Sequence, residues 1–117
     1  MSRREYLAAV IGLYLAQPGA PPRASRRDWA VAQVLYARTV DLAHFAHAVR
    51  LATLRRLHGT RPCPPISGLA YYRHVLDQLG PHELDPGYVD YIARRYAALT
   101  HAGPRSDRQN RADSDRR

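Results

Sequence analysis

Residues 25–59, SRRDWAVAQVLYARTVDLAHFAHAVRLATLRRLHG, read as two consecutive helices joined by a tight turn, and this reading decides the fold class. Ser25 is a helix N-cap, and Asp28 three residues on completes a Ser-x-x-Asp capping box. A helix follows over 26–38. The turn is Arg38-Thr39-Val40, after which Asp41 caps a second helix over 42–58. Val40, just before that cap, is placed to pack on Phe45 as a hydrophobic staple, and Gly59 is the stop. Trp29, Ala32, Tyr36 and Val40 line one side of the first helix, while Val31, Val34 and Leu35 cover much of the other. A helix apolar nearly all round belongs inside, so this one is expected to be the core element.

Outward from this pair, Leu7, Val10, Ile11 and Tyr14 form one stripe of a helix near 4–16. Arg3-Arg4 ahead of a short apolar run also resembles a twin-arginine export signal. The amphipathic helix is the preferred reading, because the chain lacks the disulfides of a small secreted domain. Gln17 to Ala24, with Pro18, Gly19, Pro21 and Pro22, is a stiff connector, and so is Thr60 to Pro65. A helix near 68–79 follows, with Ser67 as its expected cap and Leu69, Tyr72, Leu76 and Leu79 on one face. Asp85-Pro86 opens a last helix over 87–100, with Tyr88, Ile92, Tyr96 and Leu99 inward and Arg94 and Arg95 outward. The whole is expected to be an all-α, single-domain bundle of about five helices over 1–103, containing a helix-turn-helix-like pair. Residues 104–117, rich in Arg, Asp, Ser, Gln and Asn, are expected to be a disordered tail.

The 117 residues carry a net charge of +8, and all 18 basic residues are arginine. Residues 1–61 hold ten Arg against Glu5, Asp28 and Asp41, a surplus of seven. Residues 62–103 are one short of balance and the tail adds two. The positive field thus belongs to the half containing the helix pair, which points to an acidic partner. Cys63, alone in a proline-rich connector, excludes an internal disulfide and reads as an incidental thiol.

On the second helix of the pair, His44, His47, Leu51, Arg55 and His58 form a stripe with Arg50 beside it and no acid to neutralise it. This is the expected phosphate-contacting face, with Arg56 and Arg61 extending it and Arg26 and Arg27 adding contacts at a helix N-terminus. The spacing also fits a helix-turn-helix, although Thr39 stands where glycine is usual. Asp41-x-x-His44-x-x-His47 has metal-ligand spacing, but Asp41 already has work as a cap and no fourth ligand is signalled, so neither metal nor cofactor is expected. Tyr71, Tyr72, Tyr88 and Tyr91 are candidates for contact with a protein partner. Phosphate-loop, His-Glu-x-x-His and Gly-x-Ser-x-Gly signatures are missing, so the chain reads as a binding protein with no catalytic residues.

The run Pro64-Pro65-Ile66-Ser67-Gly68-Leu69-Ala70-Tyr71-Tyr72, some way after Arg55-Arg56, resembles a segment of short uncharacterised helical proteins that travel with bacterial mobile elements and replication modules. The preceding order is similar too: a Tyr-Leu helix, then Pro18-Gly19-Ala20-Pro21, then Ala24-Ser25-Arg26-Arg27-Asp28 and a helix pair. The likeness spans about residues 4–100 and extends more loosely to helical accessory domains of replication initiators. It implies a DNA-associated helper with no catalytic residue to carry over. Gly68 departs from it, standing where the segment often has an arginine and removing one phosphate contact. The expectation is a cytoplasmic nucleic-acid-binding accessory protein, DNA ahead of RNA, with no membrane partner. The alternative is an adaptor, or a small helical subunit of a nucleoprotein complex, docking on a larger replication, recombination or effector protein through its Tyr-rich second half.

Overall fold

Helix capping sets out the architecture in a computed structural model, which describes residues 1–59 and 66–100. Ser2 and Glu5 form a capping box that starts α1 (Arg3–Leu15), and Ser25 and Asp28 form the one that starts α2 (Arg26–Ala37). The Asp41 carboxylate accepts from the Ala43 amide at the start of α3 (Leu42–Leu57). Each such cap contributes about 1 kcal/mol. After α4 (Leu69–Asp77) comes a single 3₁₀ turn, Pro81–Leu84. The Asp85 carboxylate then takes the Gly87 and Tyr88 amides and opens α5 over 86–100. Among the described residues there is no strand. The expected tail over 104–117, like Arg61 and Cys63, lies outside the described residues.

The turn after α2 is a Schellman motif. Thr39 N–H donates to the Tyr36 carbonyl at 3.0 Å and Val40 N–H to the Leu35 carbonyl at 3.1 Å. That geometry needs a left-handed residue, and Thr39 supplies it with φ of 55°. A β-branched side chain is poorly suited to this region. The backbone is therefore that of a glycine turn with a threonine in it.

α1 and α2 run antiparallel. The Tyr6 ring, near the start of α1, meets the Tyr36 ring near the end of α2 at 5.4 Å, and its hydroxyl donates to the Val40 carbonyl at 2.7 Å. α1 packs on α2 and α3, and α4 packs on the same two helices from another side. α2 and α3, consecutive and joined by the expected tight turn, barely touch each other directly. They are held as a pair by α1 and α4 rather than by a shared face.

The main core takes Val10, Ile11 and Tyr14 from α1, Ala32 and Leu35 from α2, Phe45, Ala48 and Val49 from α3, and Leu69 and Tyr72 from α4. A second cluster joins Leu51 and Leu54 of α3 to Ile92 of α5, flanked by Leu79, Tyr88 and Tyr96. Each large aliphatic or aromatic side chain removed from water contributes roughly 1.5–3 kcal/mol. α3 feeds both clusters, so it is the central helix. The expectation that α2 would fill that place is corrected, since Trp29, Val34 and Tyr36 are all exposed by more than a third. Among the described residues α3 is packed by α1, by α4 and, at Leu51 and Leu54, by α5, whereas the main neighbours of α2 are α1 and α4.

α4 also departs from expectation at its start. Ser67 makes no capping bond; Gly68 is the N-cap, and the Leu69 amide donates at 3.0 Å to Asp28 Oδ1, 41 residues earlier in the chain. A Cβ on Gly68 would lie 3.1 Å from that oxygen, so the close approach favours glycine here.

Replacing Thr39 by Gly is expected to raise stability by about 0.5–1 kcal/mol, because relief of left-handed strain exceeds the added freedom of the unfolded chain. Denaturant unfolding of Thr39→Gly beside Thr39→Ala checks this, with the alanine variant expected near the parent.

Candidate nucleic-acid interface

The α3 stripe proposed as a contact face does not stay on the surface. His47 is 1% exposed and Leu51 is buried in the second cluster, because the 3₁₀ turn and α5 fold back over this flank. The His47 Nε2–H donates to the Glu83 carbonyl at 2.7 Å, and the ring lies edge-on to Tyr88. Its Nδ1 is buried with no hydrogen-bond partner among the described residues. His47 thus serves the packing of α3 on the last third of the chain and offers no surface contact.

The same fold-back supplies the acid that the sequence pattern lacked. Arg55 Nη2 donates to Glu83 Oε2 at 2.6 Å. Glu83 Oε1 accepts from the Gly80 amide at 2.8 Å, and these two donors hold its carboxyl below the usual carboxylate range, the amide first. The Arg56 guanidinium lies over the Tyr71 ring, 5.8 Å from its centre. His44 and Arg50 are half-buried, and His58 is exposed at the far end beside Arg95. Arg61 is outside the described residues. The nine proposed contacts therefore form no single continuous face.

Exposed cations lie instead at the starts of α1 and α2 and in the connector between them. Arg3, Arg4, Arg23, Arg26 and Arg27 are exposed and, with half-buried Arg50, form no salt bridge among the described residues. The three carboxylates of the front half form no salt bridge with them among the described residues, and each accepts an amide hydrogen bond at a helix start. Between α1 and α2 lies an open cleft of about 480 Å³ lined by Arg3, Arg4, Leu7, Ala8, Trp29 and Gln33. The sequence pattern puts Arg3-Arg4 at the head of the first helix and Trp29 on an inward side of the second, and so gives no sign of this arrangement. The usable clue was that a helix with two main neighbours cannot bury apolar residues on every side.

The tyrosine set also divides. Tyr72 is fully buried, so its proposed role in partner contact is corrected to one in the core, edge-on to Tyr14 and Tyr71. Tyr71 and Tyr88 are half-buried, and Tyr91 is 49% exposed. Around Tyr72 sits a buried polar group: Thr53 Oγ1 donates to Gln17 Oε1 at 2.6 Å, and Tyr96 donates to the same oxygen at 3.2 Å. The Tyr72 hydroxyl makes no hydrogen bond among the described residues. Burial pushes its phenol up to about 12, against smaller opposing influences from nearby Thr53 and Arg56.

Among the described residues no group of three or more His, Cys, Asp or Glu is placed to hold a metal ion, and no helix is long and apolar enough to cross a membrane. No known family model, curated protein or solved structure matches the chain.

The raised Tyr72 value gives an alkaline signature. The folded state keeps its proton where the unfolded chain loses it, so stability is complete below about pH 10 and falls as pH rises through about 12. The full loss is about 3 kcal/mol. Urea titrations from pH 9 to 12 should show this decline shallower in Tyr72→Phe. At pH 7 the variant should equal or exceed the parent, because it removes a buried hydroxyl that lacks a partner.

Proposed function

We propose that this chain is a nucleic-acid-binding accessory protein that grips the sugar–phosphate backbone through arginines on α1 and α2. One observation carries the reading. The front half holds a large arginine surplus, and its only acids, Glu5, Asp28 and Asp41, are engaged at helix starts, which leaves Arg3, Arg4, Arg23, Arg26 and Arg27 exposed without salt bridges among the described residues. Exposed guanidinium groups without internal partners are what multivalent phosphate contact requires.

Arg26 and Arg27 are the first two residues of α2. Asp28 already lies at that helix start, so the two side chains, more than the helix dipole, would hold phosphate. Contacts of this kind carry little sequence information, so weak sequence preference and steep salt dependence belong to the proposal. The choice of DNA ahead of RNA, the mobile-element or replication setting and a cytoplasmic location rest on the resemblance of residues 64–72 and are part of the proposal. The alternative, an adaptor docking through the second half, draws on the exposure of Tyr91.

Titrating labelled duplex DNA at several salt concentrations tests the reading. Arg26→Ala/Arg27→Ala should weaken binding uniformly across sequences and make the salt slope shallower by about 2, one contact's worth for each arginine. Arg55→Ala should bind almost as the parent does, since that guanidinium is already held by Glu83. Absence of binding to any polyanion at low salt would overturn the proposal.

A further inference from the structure

We infer that the cleft between α1 and α2 seats an unpaired base of single-stranded nucleic acid against Trp29 while Arg3 and Arg4 hold the neighbouring phosphates; this rests on the nucleic-acid reading above and names its substrate class. Trp29 is the chain's single tryptophan and is 38% exposed, although the nearby core buries Val31, Ala32 and Leu35 of the same helix. It lines the cleft together with Leu7 and Ala8 of α1 and with Gln33, one helical turn further along α2. Arg3 and Arg4 stand across from it on α1, exposed and free of salt bridges among the described residues. Glu5, the one acid of that segment, is turned away onto the Ser2 amide at 2.9 Å.

The chemistry of this lining is selective. It offers an apolar π surface, two cations lining the same cleft, and one amide able both to donate and to accept. A ligand that satisfies all three has a flat ring, a nearby anion and a hydrogen-bonding edge. The volume, about 480 Å³, suits one nucleotide unit. Duplex DNA hides its ring faces in the stack and presents phosphates on a convex surface that cannot enter a cleft. An acidic peptide supplies the anion without the ring. A single strand presents unpaired bases and phosphates together, and stacking on an aromatic side chain accepts any base. Gln33 can pair with the edge of any of them, so sequence tolerance is expected here too.

The lone tryptophan makes the test direct. The full chain is titrated at low salt with a thymidine homopolymer of about 12 nucleotides, a duplex of equal charge, and polyglutamate, and Trp29 emission is read. Affinity is measured in parallel by anisotropy of labelled oligonucleotide for the parent, Trp29→Ala, Trp29→Phe and Arg4→Glu. The expected result is quenching by the single strand well beyond that by duplex or polyglutamate. Trp29→Ala should lose on the order of tenfold in single-strand affinity, with Trp29→Phe close to the parent and duplex binding little changed by either. Should Trp29→Ala fail to fold, the emission of the unaltered chain with single strand, duplex and polyglutamate still decides the matter. Equal binding of both strand forms, with emission unmoved and the variants unaffected, would overturn the base-seating cleft and leave backbone binding intact. Polyglutamate moving the emission as far as the single strand would show a cleft that reads charge alone, which also overturns it. No binding of any nucleic acid would remove the underlying reading as well.

Discussion

A single buried carboxylate ties the ends of two helices together. Asp28, 4% exposed, accepts from the Ser25 amide with one oxygen and from the Leu69 amide with the other, at 2.8 and 3.0 Å. Hydrogen bonds to a charged group contribute about 1.5–3 kcal/mol each, and removing the acceptor strands two donors. The same residue therefore opens α2 and pins the start of α4 beside it. With that end fixed, α4 lies across α2 and α3, and α1 packs on the same two helices, its Tyr14 ring meeting Tyr72 of α4. Gly68 is part of the device, since a side chain there would press on the carboxylate.

The charge pattern of the surface follows from these structural duties. In the front half the three acids serve helix starts and form no salt bridge among the described residues, whereas Glu83, Asp77 and Asp90 of the back half pair with Arg55, Arg38 and Arg94. The bonds at 3.9 and 3.4 Å are exposed and stabilise little. The Glu83 contact differs because the same residue also receives His47 and the Gly80 amide. It locks the 3₁₀ turn onto α3 and converts a candidate binding stripe into an internal seam.

Local chemistry was legible from the chain alone and long-range chemistry was not. The Ser25–Asp28 box, the Asp41 and Asp85 caps and the tight turn at Arg38-Thr39-Val40 all depend on residues within a few positions of one another, and each stands as read. Thr39 even adopts the backbone of the glycine it replaces. The second bond of Asp28, the meeting of His47 with Glu83 and the burial of Leu51 under α5 depend on partners 41 and 36 residues distant or on docking of the final helix. Helical periodicity reports that a face exists without saying which neighbour covers it. Periodicity alone therefore leaves His47 and Leu51 on an open flank and Trp29 on an inward one, whereas the structure buries the first two and exposes Trp29 by 38%.

Amide hydrogen exchange at Leu69 in the unaltered chain tests the Asp28 bridge most directly. The first amide of a helix has no acceptor within its own helix and ordinarily exchanges fast. Here the Leu69 N–H should exchange as slowly as the buried core amides of α3, because its acceptor is a buried carboxylate from α2. Exchange at the rate of an open helix start would contradict the bridge and, with it, the arrangement of α4 on the bundle.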